Sequence, residues 1–354
     1  MTGTMSSTRL GVAELAAAFD VKPGYLAACG NGVLPRAAVA AMTADLARCG
    51  LGEATAADYD AIVTQSRGLF ADIVGVPAEW VAIGPAVSPM VAVVAAGLPD
   101  GAEVLVADDE FSSMVLPFRA TGRLVVRTVP LVELAGAITD DTAVVAFSLV
   151  QSATGEVADS VAIAARARAH QALSVVDLTQ AAGVMGVDAT QFDVTISHVY
   201  KWLCSPRGVA FLTVRPEVLP RLRPVLAGWY SDENPWGNCY WPRVAEPRGA
   251  RQFDTSPAWQ AFVGARESLR LFAEADLEAV WAHACDLGDQ LCRGLGIPEQ
   301  HRAIVSWPDP DHAKLARLTA AGLRASGPLG LIRVAFHVWN TPEDVAAVLQ
   351  ALGR

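Results

Sequence analysis

The sequence predicts an α/β protein built on a mostly parallel sheet flanked by helices, and three observations predict it. Between about residues 65 and 215, short β-rich runs alternate with longer alanine-rich stretches of helical period. The runs are continuously apolar, the pattern of strands covered on both faces. Strand, helix and strand follow one another in the order of parallel crossover units.

The strand candidates in order are EVLVADD (103–109), LVVRTVPL (124–131), AVVAFSLV (143–150), LSVVDL (173–178), DVTISHV (193–199) and GVAFLTV (208–214). Between the third and fourth lies SVAIAARARAHQ (160–171), whose apolar residues recur at one-turn intervals. Residues 83–98, IGPAVSPMVAVVAAGL, read as a Gly- and Pro-containing turn running into a helix. Residues 228–259 have no clean period and predict a long loop; its length and its tryptophans point to a function rather than to disorder. Residues 260–295 read as helical. The tail LIRVAFHVWNTPEDVAAVLQAL reads as strand, turn and helix, with Thr341 as the cap and Pro342 at the first helical position. There is no internal repeat and no low-complexity segment.

Composition excludes several function classes. A net charge of -10 and a pI near 5.1, with no basic cluster, argue against nucleic-acid binding, which depends on neutralising phosphates. Mean hydropathy is positive at +0.32, yet no apolar run approaches the ~20 residues of a bilayer span, so no membrane association is expected. The start of the chain lacks a signal-peptide arrangement. The six cysteines, Cys29, Cys49, Cys204, Cys239, Cys285 and Cys292, include no Cys-x-x-Cys pair, which predicts neither zinc nor a disulfide framework and places the protein in a reducing cytoplasm.

The chemistry begins with a compositional bias. The chain holds three lysines, Lys22, Lys201 and Lys314, against 24 arginines. Only a lysine amine can lose its proton and form a Schiff base with a carbonyl. Lys201, just past a strand end, is therefore a candidate nucleophile, the alternative being a surface lysine paired with a carboxylate. Asp177 ends an apolar strand in VVDLTQAAG (175–183), where a carboxylate is costly unless it meets a cation or donors. The protonated ring nitrogen of pyridoxal phosphate is such a partner. The 83–98 turn offers helix N-terminal amides to a phosphate. Phosphate turn, buried aspartate and lysine, in that order, form the constellation that pyridoxal phosphate requires.

With these motifs in view, the sequence resembles the class V aminotransferase family of fold type I pyridoxal-phosphate enzymes. It is most like the kynureninase and isopenicillin N epimerase-like branch, with the cysteine desulfurases as relatives. The segments carrying the resemblance are YLAACGNGVLP (25–35), VVDLTQAAG, DVTISHVYKWL (193–203), RGARQFDTSP (248–257) and RVAFHVWNT (333–341). The resemblance implies a large cofactor-binding domain over 31–250, a smaller α+β domain over 251–354, and an N-terminal segment, 1–30, packed on the smaller one. It implies that Lys201 carries the cofactor as a Schiff base and shuttles protons at the substrate α-carbon, that Asp177 keeps the ring nitrogen protonated, and that Gln180 hydrogen-bonds the ring's phenolic oxygen. Phe111 takes the place of a stacking histidine. Val87 and Ser88 supply the phosphate turn, with His198 and Tyr200 as further donors, and Ser256 reaches the phosphate of a neighbouring subunit in a homodimer with shared sites. Arg333 grips the carboxylate of an amino-acid substrate, a task suited to a bidentate fork, with Asn31 and Ser152 beside the substrate.

Desulfurases place a nucleophilic cysteine shortly before that arginine, and AAGLRASGPLGLIR (320–333) holds none. Persulfide chemistry of that kind is therefore not expected. The resemblance, whose members without that cysteine often carry out such chemistry, implies β-elimination of the C–S lyase type on a cysteine conjugate or similar amino acid. Transamination, epimerisation, hydrolytic cleavage of the kynureninase type and a catalytically inactive scaffold are the alternatives.

Overall fold

The computed structural model describes residues 9–245 and 247–354. The chain opens with the helices α1 (Val12–Ala16), α2 (Arg36–Gly50) and α3 (Asp60–Val74). An alternating series follows: β1 (Val81–Gly84), α4 (Val87–Gly97), β2 (Glu103–Ala107), α5 (Ser112–Ala120), β3 (Val125–Val129), α6 (Leu134–Ala137), β4 (Thr142–Ser148), α7 (Ser160–Ala169) and β5 (Leu173–Asp177). Then come β6 (Val194–His198), β7 (Ala210–Val214), α8 (Trp259–Ala273) and α9 (Leu277–Leu295). The chain closes with β8 (Ile304–Pro308), α10 (Ala313–Ala320), β9 (Leu331–Ala335) and α11 (Pro342–Leu352).

Seven strands form one sheet in the order β1-β7-β6-β5-β4-β2-β3. All neighbours are parallel except β7, which runs antiparallel to both β1 and β6. The predicted α/β class with a mostly parallel sheet holds, and all six predicted strands are present. Strand β1 is not predicted: its last two residues open the 83–98 turn, and four residues running into Gly84-Pro85 are too few to show a period. The stretch 260–295 is two helices, divided where the Asp276 carboxylate accepts from the Ala279 N–H at 3.1 Å and caps the second. Thr341 and Pro342 start the last helix as predicted, with the Asp344 carboxylate accepting from the Thr341 N–H.

Burial explains why the strands read as continuously apolar. In β4, Val144 and Ala146 pack into the core on one face of the sheet, while Val145 and Phe147 pack into the core on the other. A smaller antiparallel pair, β8 with β9, lies in the C-terminal part. The N-terminal segment joins it through bridges from Leu10 to Ala275, Tyr25 to Arg324 and Ala27 to Ala335. Among the described residues no helix is long and apolar enough to cross a membrane, and all six cysteines are free.

This topology brings the carboxyl ends of β1, β2, β4, β5 and β6 to one edge. The ends carry, in turn, the start of α4, the Glu110-Phe111 turn, Ser148, Asp177 and His198. In sheets of this kind that edge is where ligands bind.

Candidate active site

Asp177 is the last residue of β5 and is 4% exposed. One oxygen, Oδ1, accepts the Thr179 N–H at 2.8 Å. Burial pushes its carboxyl above the ordinary range, opposed by that hydrogen bond and by the charge of Lys201. A cation in contact with Asp177 would favour the ionised form. Beside it in register stands Ser148 of β4, whose N–H and hydroxyl both donate to the Glu110 carboxylate at 2.7 and 2.6 Å.

Lys201 follows β6 in a tight turn. The Gly32 N–H donates to the Tyr200 carbonyl at 2.8 Å, and the Cys204 N–H returns to the Lys201 carbonyl at 3.1 Å with Cys204 in the left-handed region at φ 50°. The lysine is 5% exposed and, among the described residues, forms no salt bridge, which removes the surface ion-pair reading. Burial lowers its pKa, and the nearby Asp177 charge partly offsets this. The amine is thus easier to deprotonate than an exposed lysine's, which is what a nucleophile or proton carrier needs. Its Nζ lies 5.3 Å from the centre of the Phe111 ring.

A cavity of about 160 Å³ surrounds these groups. At one side, Ala86 and Val87 present the first turn of α4, an N-terminus with no side-chain cap. Facing it are His198, Tyr200 and Arg207. The Nε2 of His198 is buried and has no hydrogen-bond partner. Burial, together with the charges of Arg207 and Lys201, pushes this imidazole down to about 4, so it is neutral at physiological pH. The Arg207 guanidinium lies 4.1 Å from the centre of the Tyr200 ring, a cation–π contact that aims its fork at the cavity.

At the other side Gln180 is held by three partners: it accepts from the Trp202 indole at 2.7 Å and donates to the Cys29 carbonyl at 2.9 Å and to Ser152 Oγ at 3.0 Å. Its amide hydrogens are both in use, so Ser152 has to yield one for Gln180 to serve a ligand. Arg333 in β9 donates from Nε to Ser326 Oγ at 3.0 Å and from Nη1 to the Ser152 carbonyl and hydroxyl. It is 8% exposed, and no carboxylate pairs with it among the described residues. That removes the structural ion pair as its explanation.

The residues predicted from sequence divide accordingly. Val87, Phe111, Ser152, Asp177, Gln180, His198, Tyr200 and Lys201 line the one cavity. Arg333 stands behind Ser152. Ser88 does not line it. Asn31 lines a separate hollow of about 640 Å³ with Tyr25 and Arg324, its amide turned to the Gly32 carbonyl. Ser256 is exposed and accepts from the Trp229 indole at 3.2 Å. Cys204 is buried beside His337, and burial pushes its thiol far up, as expected of an inert packing residue. Two features carry no signal in the sequence: Arg207, a cavity-lining residue that is one arginine among 24, and Glu110, which does not line the cavity but bonds Ser148, a lining residue 38 positions away.

The donor set fits pyridoxal phosphate. The orphaned His198 nitrogen, Arg207 and the uncapped α4 N-terminus suit its phosphate, the buried Asp177 suits a protonated ring nitrogen, and the Lys201 amine suits its aldehyde.

Known proteins agree with this reading. The sequence model of the family described as "Aminotransferase class-V" matches residues 53–327. A kynureninase from Deinococcus radiodurans is 31% identical over 251 residues, 67% of this chain and 60% of the kynureninase's own length. Isopenicillin N epimerase from Streptomyces clavuligerus is 25% identical over 345 residues, 83% of this chain and 85% of the epimerase. Two solved structures share the fold: the cystine C–S lyase C-DES in complex with its product cysteine persulfide, with TM-score 0.82, 22% identity and coverage of 94% and 97%, and the cysteine desulfurase CsdA from Escherichia coli, with TM-score 0.83, 18% identity and coverage of 98% of each chain. With the match spanning well over half of its length, the chain belongs to the class V aminotransferase family and is a pyridoxal-phosphate-dependent enzyme.

Proposed function

We propose that the enzyme removes the α-proton of an amino acid and expels a sulfur-linked substituent from its β-carbon, a lyase reaction on a cysteine conjugate or similar substrate. The observation that carries the amino-acid part is a buried, unpaired Lys201 amine in the same cavity as Ser152, whose carbonyl and hydroxyl accept from a buried Arg333 that has no acidic partner among the described residues. Arg333 binds the substrate carboxylate, and its uncommitted Nη2 supplies a further donor. Lys201 takes the α-proton and afterwards delivers protons to the departing groups. Asp177 would hold the protonated ring nitrogen of the cofactor, and Arg207, His198 and the α4 N-terminus would hold its phosphate. Pyridoxal phosphate, when bound, supplies the electron sink that makes the α-proton acidic.

Elimination is favoured over sulfur transfer because residues 320–333, the segment leading to Arg333, contain no cysteine. The second reading, hydrolytic cleavage at the β–γ bond, is supported by the 31% identity to a kynureninase. We also propose a homodimer. Trp236, Tyr240 and Trp241 expose 42%, 76% and 85% of their surface on the 228–245 segment near Ser256, an apolar area that a second copy would cover.

The test is a visible absorbance spectrum of the purified protein with added cofactor, followed by amino-acid challenge. Borohydride reduction should fix the cofactor to the peptide containing Lys201, and S-substituted cysteines should yield pyruvate and ammonia. Kynurenine cleavage without pyruvate release would select the second reading. A protein that stays colourless defeats both. Light scattering gives the oligomeric state, and a monomer at working concentration defeats the dimer.

A further inference from the structure

Glu110 makes three short hydrogen bonds that none of the chemistry above requires. Its Oε1 accepts the N–H of Phe111 at 2.7 Å and the hydroxyl of Ser148 at 2.6 Å, and its Oε2 accepts the N–H of Ser148 at 2.7 Å. Ser148 is the last residue of β4 and the register partner of Asp177, so one carboxylate links the start of α5 to the strand end beside the catalytic aspartate. The turn it holds is not one the backbone adopts by preference. Asp109 lies at φ 54°, in the left-handed region that non-glycine residues rarely occupy. A second tie, from Gln151 Nε2 to the Asp108 carbonyl at 3.0 Å, secures the same turn. At its end, Phe111 is 44% exposed, and the Lys201 amine lies 5.3 Å from the centre of its ring.

We propose that Glu110 is a positioning residue whose carboxylate straps the Asp109-Phe111 turn to Ser148 and so fixes the Phe111 ring over the cofactor site. The strap has the strength for this: hydrogen bonds to a charged group are worth more than neutral ones, and three of them converge on this one carboxylate. Burial raises the Glu110 carboxyl, with a smaller contribution from the nearby Asp177 charge, but three donors keep its oxygens occupied. This role rests on the pyridoxal-phosphate reading and deepens it.

A double-mutant cycle on cofactor affinity tests the proposal. Wild type, Glu110→Ala, Phe111→Ala and the double variant are stripped of cofactor and titrated with pyridoxal phosphate, reading absorbance and the induced visible circular dichroism. Each single variant is expected to weaken affinity by about tenfold and to lose most of the induced dichroism. The double variant is expected to bind within about twofold of Phe111→Ala alone, because the strap acts through the ring. Independent, multiplying losses, or a Glu110→Ala protein with wild-type affinity and dichroism, overturn it. Glu110→Gln, which keeps the shape and one acceptor oxygen, enters the same cycle if the alanine variant does not fold. Failure of both to fold also counts against the proposal, since it would make Glu110 a residue of the fold at large. Absence of binding by the wild type sinks the cofactor reading itself and is recognised before any variant is made.

Discussion

Gly32 lies directly against the backbone of Lys201: a Cβ on Gly32 would come within 2.0 Å of the Lys201 carbonyl oxygen and 2.9 Å of the Cys204 Cα. The N-terminal segment therefore seals the far side of the turn that presents Lys201. Gly32→Ala should cost about 3 kcal/mol and displace that turn, lowering the urea midpoint and weakening the cofactor's visible band. Gly50→Ala, at the end of α2 with open space around the new carbon, is the control and should leave both unchanged or slightly improved. Equal behaviour of the two variants would refute the sealing role.

Arg333→Gln should raise KM for amino-acid substrates by roughly ten- to a hundredfold, the loss of a charge-assisted pair with the carboxylate. The cofactor spectrum should stay as in the wild type. Steady-state kinetics beside an amine lacking the carboxylate makes the check: the amine's rate should not respond to the substitution. If it falls equally, Arg333 acts on the fold and not on the carboxylate.

His337 predicts acid sensitivity. It is fully buried; its Nδ1 accepts the Val338 N–H at 2.8 Å and its Nε2 donates to the Trp202 carbonyl at 2.9 Å. Both nitrogens are satisfied only in the neutral ring, and burial pushes the imidazole down from 6.5 to about 4. The unfolded chain then binds a proton that the folded chain refuses, so stability is intact above pH ~6.5 and falls as pH drops from there to about 4. The loss is about 3 kcal/mol. His337→Gln should flatten this part of the pH–stability curve measured by urea unfolding, and an unchanged slope would assign the acid sensitivity elsewhere.

Asp254 and Arg67 form a bidentate buried pair at 2.7 and 3.1 Å, and Asp254 Oδ1 also accepts the Ile83 N–H at 2.8 Å. The pair ties the segment before Ser256 to β1, the strand that leads into the α4 N-terminus. Arg67→Met leaves the buried Asp254 carboxylate with only the Ile83 N–H and the longer contact to Arg251 at 3.6 Å, and should cost about 3 kcal/mol. Adding Asp254→Leu should recover part of that loss, since the stranded charge goes with it. Additive destabilisation in denaturant titrations would argue that the two residues act separately.

Much of the site was legible in the chain. Lys201 stood out because arginine replaces lysine almost everywhere else, and Asp177 because a carboxylate ends an otherwise apolar strand. Arg333 was read through resemblance, and the structure adds its lack of an acidic partner. Arg207 could not be singled out in a chain rich in arginine until the Tyr200 ring was seen beneath it. Glu110 carried no local signal, because its partner Ser148 becomes adjacent only when β2 and β4 pair.

The sequence by itself determined six strands of the large sheet, β9, the helices α4, α7 and α11 and the helical stretch over 260–295, and it singled out the candidate reactive groups, since apolar period, capping chemistry and side-chain type are local properties. Tertiary structure decided the rest: the reversed direction of β7, the convergence of five strand ends on one cavity, the separation of Asn31 and Ser256 from it, and the seal of Gly32 on Lys201. These depend on which distant segments pack together, and periodicity along a chain carries no information about its partner or its direction.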